Sequence, residues 1–245
     1  MKSLLALIAT ASSLHAATIH VPRDHANIQS AISAAHAGDV VLVAPGTYRG
    51  PVKLKPSVTL KSAGNDDKGT LGLKRAEATT LEGGVEMTEK SVLDGFTVTG
   101  VGKYDDKLWQ HHFDTQGNEQ EHESIGAAGA PGIAVAVTCE VRNNIVHHIG
   151  YTGIAITGGS PRITSNVCFR NMGGGIGSMK GSTAIIVRNE CFENFYAGIG
   201  CDNSSPVVQD NVCHHNIRAG IGISEGSSPK VSGNHCFHNR RAGIG

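Results

Sequence analysis

Aromatic residues make up only 4% of this 245-residue chain, and there is a single tryptophan. A core of ordinary thickness relies on Phe, Tyr and Trp for bulk, so their scarcity points to a narrow interior. Leucine is missing after Leu108, which excludes a leucine-rich horseshoe for whatever repeats follow. Neither charge dominates, with 21 Lys and Arg against 21 Asp and Glu. Without a basic stripe, no nucleic-acid partner is expected. No apolar run is long enough to span a membrane, so an integral membrane protein is not expected. The six cysteines form no Cys-x-x-Cys pair of the kind that holds zinc.

What is abundant is glycine, 32 residues, in a recurring pattern. Asn followed nine residues later by Gly-Ile occurs at Asn144, Asn166, Asn189, Asn211 and Asn234, at spacings of 22, 23, 22 and 23. A unit this short cannot bury an apolar face alone, so the copies must stack and share one core. Within each copy, apolar residues alternate in short bursts of period two, which reads as several short strands per coil. Counting from the first Asn, position −3 holds Val141, Ile163, Ile186, Val208 and Val231. Position +2 holds Val146, Cys168, Cys191, Cys213 and Cys236, and position +10 is Ile throughout. Coils stacked about 4.8 Å apart turn each column into an inward ladder of like side chains.

The Asn residues at zero and at +5 frame the Val/Cys strand and suit tight turns. Asn tolerates left-handed backbone, and its amide can bond the Asn of the next coil. Their predicted role is structural. The Cys column is expected to be a file of free buried thiols, because parallel side chains in one rotamer point alongside each other. A disulfide between adjacent coils is the alternative.

With its Asn ladder, Ser-Pro pairs (Ser160-Pro161, Ser205-Pro206, Ser228-Pro229) and Gly-Ile strands, the chain resembles the right-handed parallel β-helix proteins of the pectate-lyase-like superfamily. Residues 18–22 and 27–35 are similar to the first strand and capping helix of that group. Residues 39–48, 58–60 and 92–98 are similar to its opening coils. The resemblance implies an all-β, single-stranded right-handed parallel β-helix with a short N-terminal capping helix over residues 18–245. It does not imply one activity, since the superfamily spans many chemistries. The Trp-x-Asp-His and Arg-x-Pro-x-x-Arg signatures of pectate lyases are absent. So are the Asn-Thr-Asp and Gly-His-Gly of polygalacturonases and the Asp-Phe-Ile-Phe-Gly of pectin methylesterases.

Residues 1–17 carry Lys2, an apolar core from Leu4 to Ala9 and small residues up to Ala17, the pattern of a secretory signal peptide. The expected location is secreted, periplasmic or at the cell surface. At the other end the sequence stops inside a Gly-Ile strand without a polar cap, which predicts missing C-terminal coils or an end-on partner.

Two features could carry function. The outward position +11 is Ala155, Gly177, Gly200, Gly222 and Gly245, a nearly bare track. It is predicted either to floor a groove or merely to permit close coiling. One rim carries Tyr151, Tyr196, Arg218 and Arg241 at +7, and the other carries Lys180, Asp202 and Glu225. Tyrosine faces stack on sugar rings and guanidinium or ammonium groups pair with uronate carboxylates, so an acidic polysaccharide is the candidate partner. If there is catalysis, Lys180, Asp202 and Arg218 are the candidates, in a polysaccharide lyase or glycoside hydrolase role. The second feature is a long loop insertion at 103–126, expected to overhang the N-terminal end of the track. Either it is a solvated polar loop that packs Trp109 on the cylinder, or Trp109, His111 and His112 contribute a substrate wall there. Asp105, Asp106 and Asp114 are candidate metal ligands for Ca²⁺, although their spacing matches no specific motif and no cofactor is otherwise implied. The alternative reading of the whole chain is a non-catalytic envelope or surface scaffold that contacts another protein.

Overall fold

The computed structural model describes residues 16–67, 69–120, 129–224 and 226–245. The apolar leader core and Glu225 lie outside the described residues. The rest forms a parallel β-solenoid of three sheets with nine, eight and seven strands, every strand pairing in parallel with its counterpart in the next coil. Strands are two to four residues long. One turn of the solenoid visits the three sheets in sequence order. Among the described residues, no helix is long and apolar enough to cross a membrane.

The predicted ladders are present in register. In the first sheet Val141 pairs with Ile163, Ile163 with Ile186 and Ile186 with Val208. In the second, Cys168, Cys191, Cys213 and Cys236 follow one another. In the third, Ile154, Ile176, Ile199 and Ile221 do the same. All but the outermost cysteine are fully buried. The six cysteines are free thiols. Burial pushes the Cys201 thiol up to about 11, as expected for a group whose thiolate has lost its water.

Two hydrogen-bonded Asn ladders hold the corners on either side of the second sheet. Each Nδ2 donates to the Oδ1 of the next coil's Asn, at 3.0 Å for Asn144 to Asn166 and for Asn166 to Asn189. The second ladder repeats this at 3.0 Å from Asn171 to Asn194 and from Asn194 to Asn216. The same amides donate to backbone carbonyls, as Asn194 does to Cys168 at 3.0 Å. These amides are 0–1% exposed, so each polar atom must find a partner inside the protein, and the ladder supplies it. One expectation is corrected: the Asn residues do not themselves take left-handed backbone. The residue before each does, including Asn143, Ser165, Arg188 and Asp210, and likewise Arg170, Glu193, His215 and His238 before the second ladder. The left-handed residue makes the corner, and the Asn after it turns its side chain inward to seal it.

The ladder also explains the Asn-to-Gly spacing. A Cβ added at Gly175 would lie 2.7 Å from the Gly198 carbonyl oxygen and 2.9 Å from Asn194 Nδ2. At Gly198 it would lie 2.9 Å from both the Gly220 carbonyl oxygen and Asn216 Nδ2. Gly at +9 is therefore imposed by the neighbouring coil's Asn and backbone.

Helix α1 (Ile28–Ala34) caps the first coil, with the Asn27 side chain accepting from Ser30 N and the stripe Ile28, Ala31, Ile32 buried. Helix α2 (Lys74–Ala78) belongs to an excursion that sequence reading missed. It is pinned by Arg75, 6% exposed, which bonds Asp94 at 2.6 Å and Asp66 at 2.8 Å. Helix α3 (Asp106–Asp114) occupies the 103–126 insertion. What was read as a loop is in part a helix, N-capped by Asp105, whose carboxylate accepts from Leu108 N at 3.0 Å.

Candidate functional site

The outer face of the third sheet carries the bare track as predicted, with Ala155, Gly177, Gly200 and Gly222 in register along the axis. Together with its rims the track forms an open groove of about 730 Å³. From Tyr151 to Arg241 it spans four coil steps, roughly 19 Å at the usual strand spacing. The glycines of the floor differ in kind from those at +9. A Cβ built on Gly200 meets nothing within 4 Å, and one on Gly222 only reaches Ala197 Cβ at 3.4 Å. Close coiling therefore does not require glycine at Gly200, and the space above it is groove.

The structure brings Tyr151, Tyr196, Arg218 and Arg241 onto one rim and Asp202 onto the other, with Met179 and Thr152 also lining the groove. The Arg218 guanidinium stacks over the Tyr196 ring at 5.1 Å. Burial, with the Arg241 charge beside it, lowers the Arg218 guanidinium from its ordinary value. Burial raises the Tyr196 hydroxyl, while Arg218 opposes that rise. Asp202 is exposed and accepts from Ser224 Oγ at 2.9 Å. Lys180 stands exposed in the turn after Ile176–Met179 with a left-handed backbone, outside the groove lining. The three candidate catalytic residues are thus dispersed: Asp202 and Arg218 face each other across the floor, and Lys180 is apart from both.

Residues 103–120 of the insertion run towards the C-terminal coils along the corner between the second and third sheets, and residues 121–126 lie outside the described residues. Tyr104 packs edge-on against His148 with centroids 4.5 Å apart. Further along, Gln120 reaches Phe195 and Arg218, and Gly117 reaches Arg241. Trp109 faces the cylinder. It is 1% exposed, donates from Nε1 to the Glu193 carbonyl at 2.7 Å, stacks on Phe113 and lies under the Arg170 guanidinium. A ring so enclosed offers no face to a sugar, so Trp109 is corrected from substrate wall to anchor. His112 packs on Phe195, where burial lowers its basicity, and His111 bonds Glu119 at 2.8 Å. Neither lines the groove. The proposed carboxylate ligands do not converge either. Asp105 caps the start of α3, Asp106 lies beside Tyr104, and Asp114 accepts from Gln110 Nε2 at 2.8 Å in the last turn. Eight residues of helix put Asp106 and Asp114 about 12 Å apart. Among the described residues no group of three or more His, Cys, Asp or Glu could hold a metal ion.

Residues 117–245 match the family described as right handed beta helix region. The chain belongs to that family. Among solved structures, this β-helix is similar to the catalytic unit of a thermostable α-1,3-glucanase from Streptomyces thermodiastaticus. The TM-score is 0.63 at 16% identity, over 88% of this chain and 38% of the other. The chain therefore spans well under half of that catalytic unit, and the likeness is one of fold. The β-helix also aligns with a mannuronan C-5 epimerase A-module from Azotobacter vinelandii, at TM-score 0.49 and 14% identity over 86% of this chain and 72% of the other. A pectin methylesterase bound to a hexasaccharide aligns at TM-score 0.39 and 11% identity, over 89% and 81%. No curated protein sequence matches the β-helix.

Proposed function

We propose that this β-helix is an exported protein that binds a linear, acidic polysaccharide along the third-sheet groove. The observation that carries the reading is the groove itself: a floor without side chains, four coils long, with two tyrosines and two arginines on one rim and a carboxylate on the other. A bare floor lets a flat chain lie close, tyrosine faces match the apolar faces of sugar rings, and guanidinium groups suit sugar carboxylates. The glucanase with the same fold acts on a glucan by its name, which agrees with a sugar polymer as the class of ligand. The dispersal of Lys180, Asp202 and Arg218 favours binding over turnover. Export rests on the apolar leader read in the sequence.

Gly200→Leu tests the reading, since it fills the groove where no protein atom competes for the space. The wild type should bind a uronate polymer in titration calorimetry or on a glycan array. The variant should melt at the wild-type temperature and lose that binding at least tenfold, the loss of about one good contact. A wild type that binds no sugar across a broad panel sinks the reading and favours a protein-contacting scaffold.

A further inference from the structure

The floor of the groove is not equally open along its length. Gly222 and Gly200 are part-exposed, Gly177 is buried, and Ala155 is 5% exposed. Two methyl groups cover Gly177. A Cβ built there would lie 3.3 Å from Met179 Cε and 3.4 Å from Thr152 Cγ2, whereas one on Gly200 meets nothing within 4 Å. Met179 stands two residues after Gly177 on the strand Ile176–Met179, so the two share the outer face. Its flexible, unbranched side chain folds back along the floor. Its register partner in the next coil is Asp202, which leaves Gly200 clear. Thr152 comes from the preceding coil and is 6% exposed. Next to it, the chain entering the strand Ile133–Val135 lies against Tyr151, since a Cβ at Gly129 would be 2.7 Å from Tyr151 Cβ.

We propose that the groove is blind at its N-terminal end and takes the end of a polysaccharide chain, not an internal stretch, with Met179 as the residue that sets the stop. This rests on the polysaccharide reading above. A polymer lying on Gly222 and Gly200 runs end-on into the Met179 side chain. To continue, it must climb over Met179 and Thr152 and give up its close contact with the floor, and dispersion attraction falls steeply with even a small gap. A terminal sugar has no such conflict, because nothing follows it. One chain end therefore fills one groove, whatever the length of the polymer behind it.

The test titrates the wild type calorimetrically with polygalacturonate and with polymannuronate, each intact and after cleavage to fragments of known mean length. Binding sites per gram of sugar should rise in proportion to the number of chain ends. Sites per gram that stay constant as the chains shorten would overturn the inference while leaving the groove as a sugar site. Binding of neither polymer, intact or cut, would remove the polysaccharide reading with it. Oligouronates of single lengths then locate the stop, because affinity should rise with length until the floor is filled and stay level beyond. Met179→Ala uncovers Gly177 and adds one strand spacing of floor, about 4.8 Å, so its affinity should level off at a longer oligomer than that of the wild type. Met179→Leu keeps the bulk and should level off where the wild type does, which guards against a fold defect at this position. Levelling of Met179→Ala at the wild-type length, or of Met179→Leu at the longer one, would overturn Met179 as the stop.

Discussion

Gly198, just before the strand Ile199–Asp202, and Gly200, within it, lie two residues apart and answer to opposite constraints. Gly198 faces the neighbouring coil, where a methyl group would press against Asn216 Nδ2 and the Gly220 carbonyl oxygen at 2.9 Å; Gly200 faces open groove. Gly198→Ala should therefore cost about 1–3 kcal/mol through overpacking, and Gly200→Ala should stay within about 0.5 kcal/mol of wild type. Urea unfolding of the two variants reads the contrast directly. His147 supplies a second test at this scale. Its Nδ1 lies 2.8 Å from His148 Nδ1, and its ring is stacked on Phe169. Burial, reinforced by His148, lowers it from 6.5 to about 4. Between those values the unfolded chain takes up a proton that the folded state refuses, so stability falls as pH drops from 6.5 towards 4 and levels off below. His147→Phe, a residue the same column holds at Phe169, Phe192 and Phe237, should flatten that part of the profile in denaturant midpoints taken from pH 7.5 to 4.

At the scale of elements, the repeat strands and the inserted segments obey different logic. A strand of three residues is too short to be stable alone and exists because its two neighbours pair with it. The insertion must instead find its own place. It does so with a small apolar cluster of Trp109, Phe195 and Ile217, against which Tyr104, Phe113, Met172 and Tyr196 pack. Trp109→Ala should remove about 3–5 kcal/mol of packing and loosen the segment from the cylinder. Limited proteolysis should then cut within residues 103–120 faster than in the wild type, with the coils still giving β-sheet circular dichroism. Unchanged proteolysis would mean that α3 is held by something other than this ring. The spacing of Trp109 and Phe113 is one helical turn, so α3 was legible in principle, but the surrounding Asp, His and Gln residues masked it. Nothing periodic announced the excursion that ends in α2, which depends on a buried Arg75–Asp94 pair across nineteen residues.

Across the whole molecule, the ladders make a continuous interior whose reactive groups are sealed. Five of the six thiols are buried and the sixth, Cys236, is partly so. Burial holds Cys139 at about 12 and Cys201 at about 11, so few thiolates exist at neutral pH to react. Native protein should react with few equivalents of an aromatic disulfide reagent and unfolded protein with six, with no mass change on adding reductant. A shortfall of two in the unfolded titration would reveal a disulfide and overturn the free-thiol ladder. The same stacking sets the groove's dimensions, because each added coil lengthens it by one strand spacing without changing its width.

The period of 22 to 23 residues was enough to establish the coil, its inward columns, the Asn ladders and the bare track. Each of these depends only on a residue and its counterpart one coil away, and that relation is written identically in every copy. The sequence also put Tyr151, Tyr196, Arg218 and Arg241 on one line, since a shared position in the repeat is a shared position on the cylinder. The course of the insertion was decided by tertiary packing alone. Gln120 meets Arg218 and Trp109 meets Glu193 across 98 and 84 residues, through contacts that no repeat encodes, and those contacts decided between a sugar wall and a ring packed on the cylinder in favour of the packed ring, and made a polar loop residue the holder of a rim arginine.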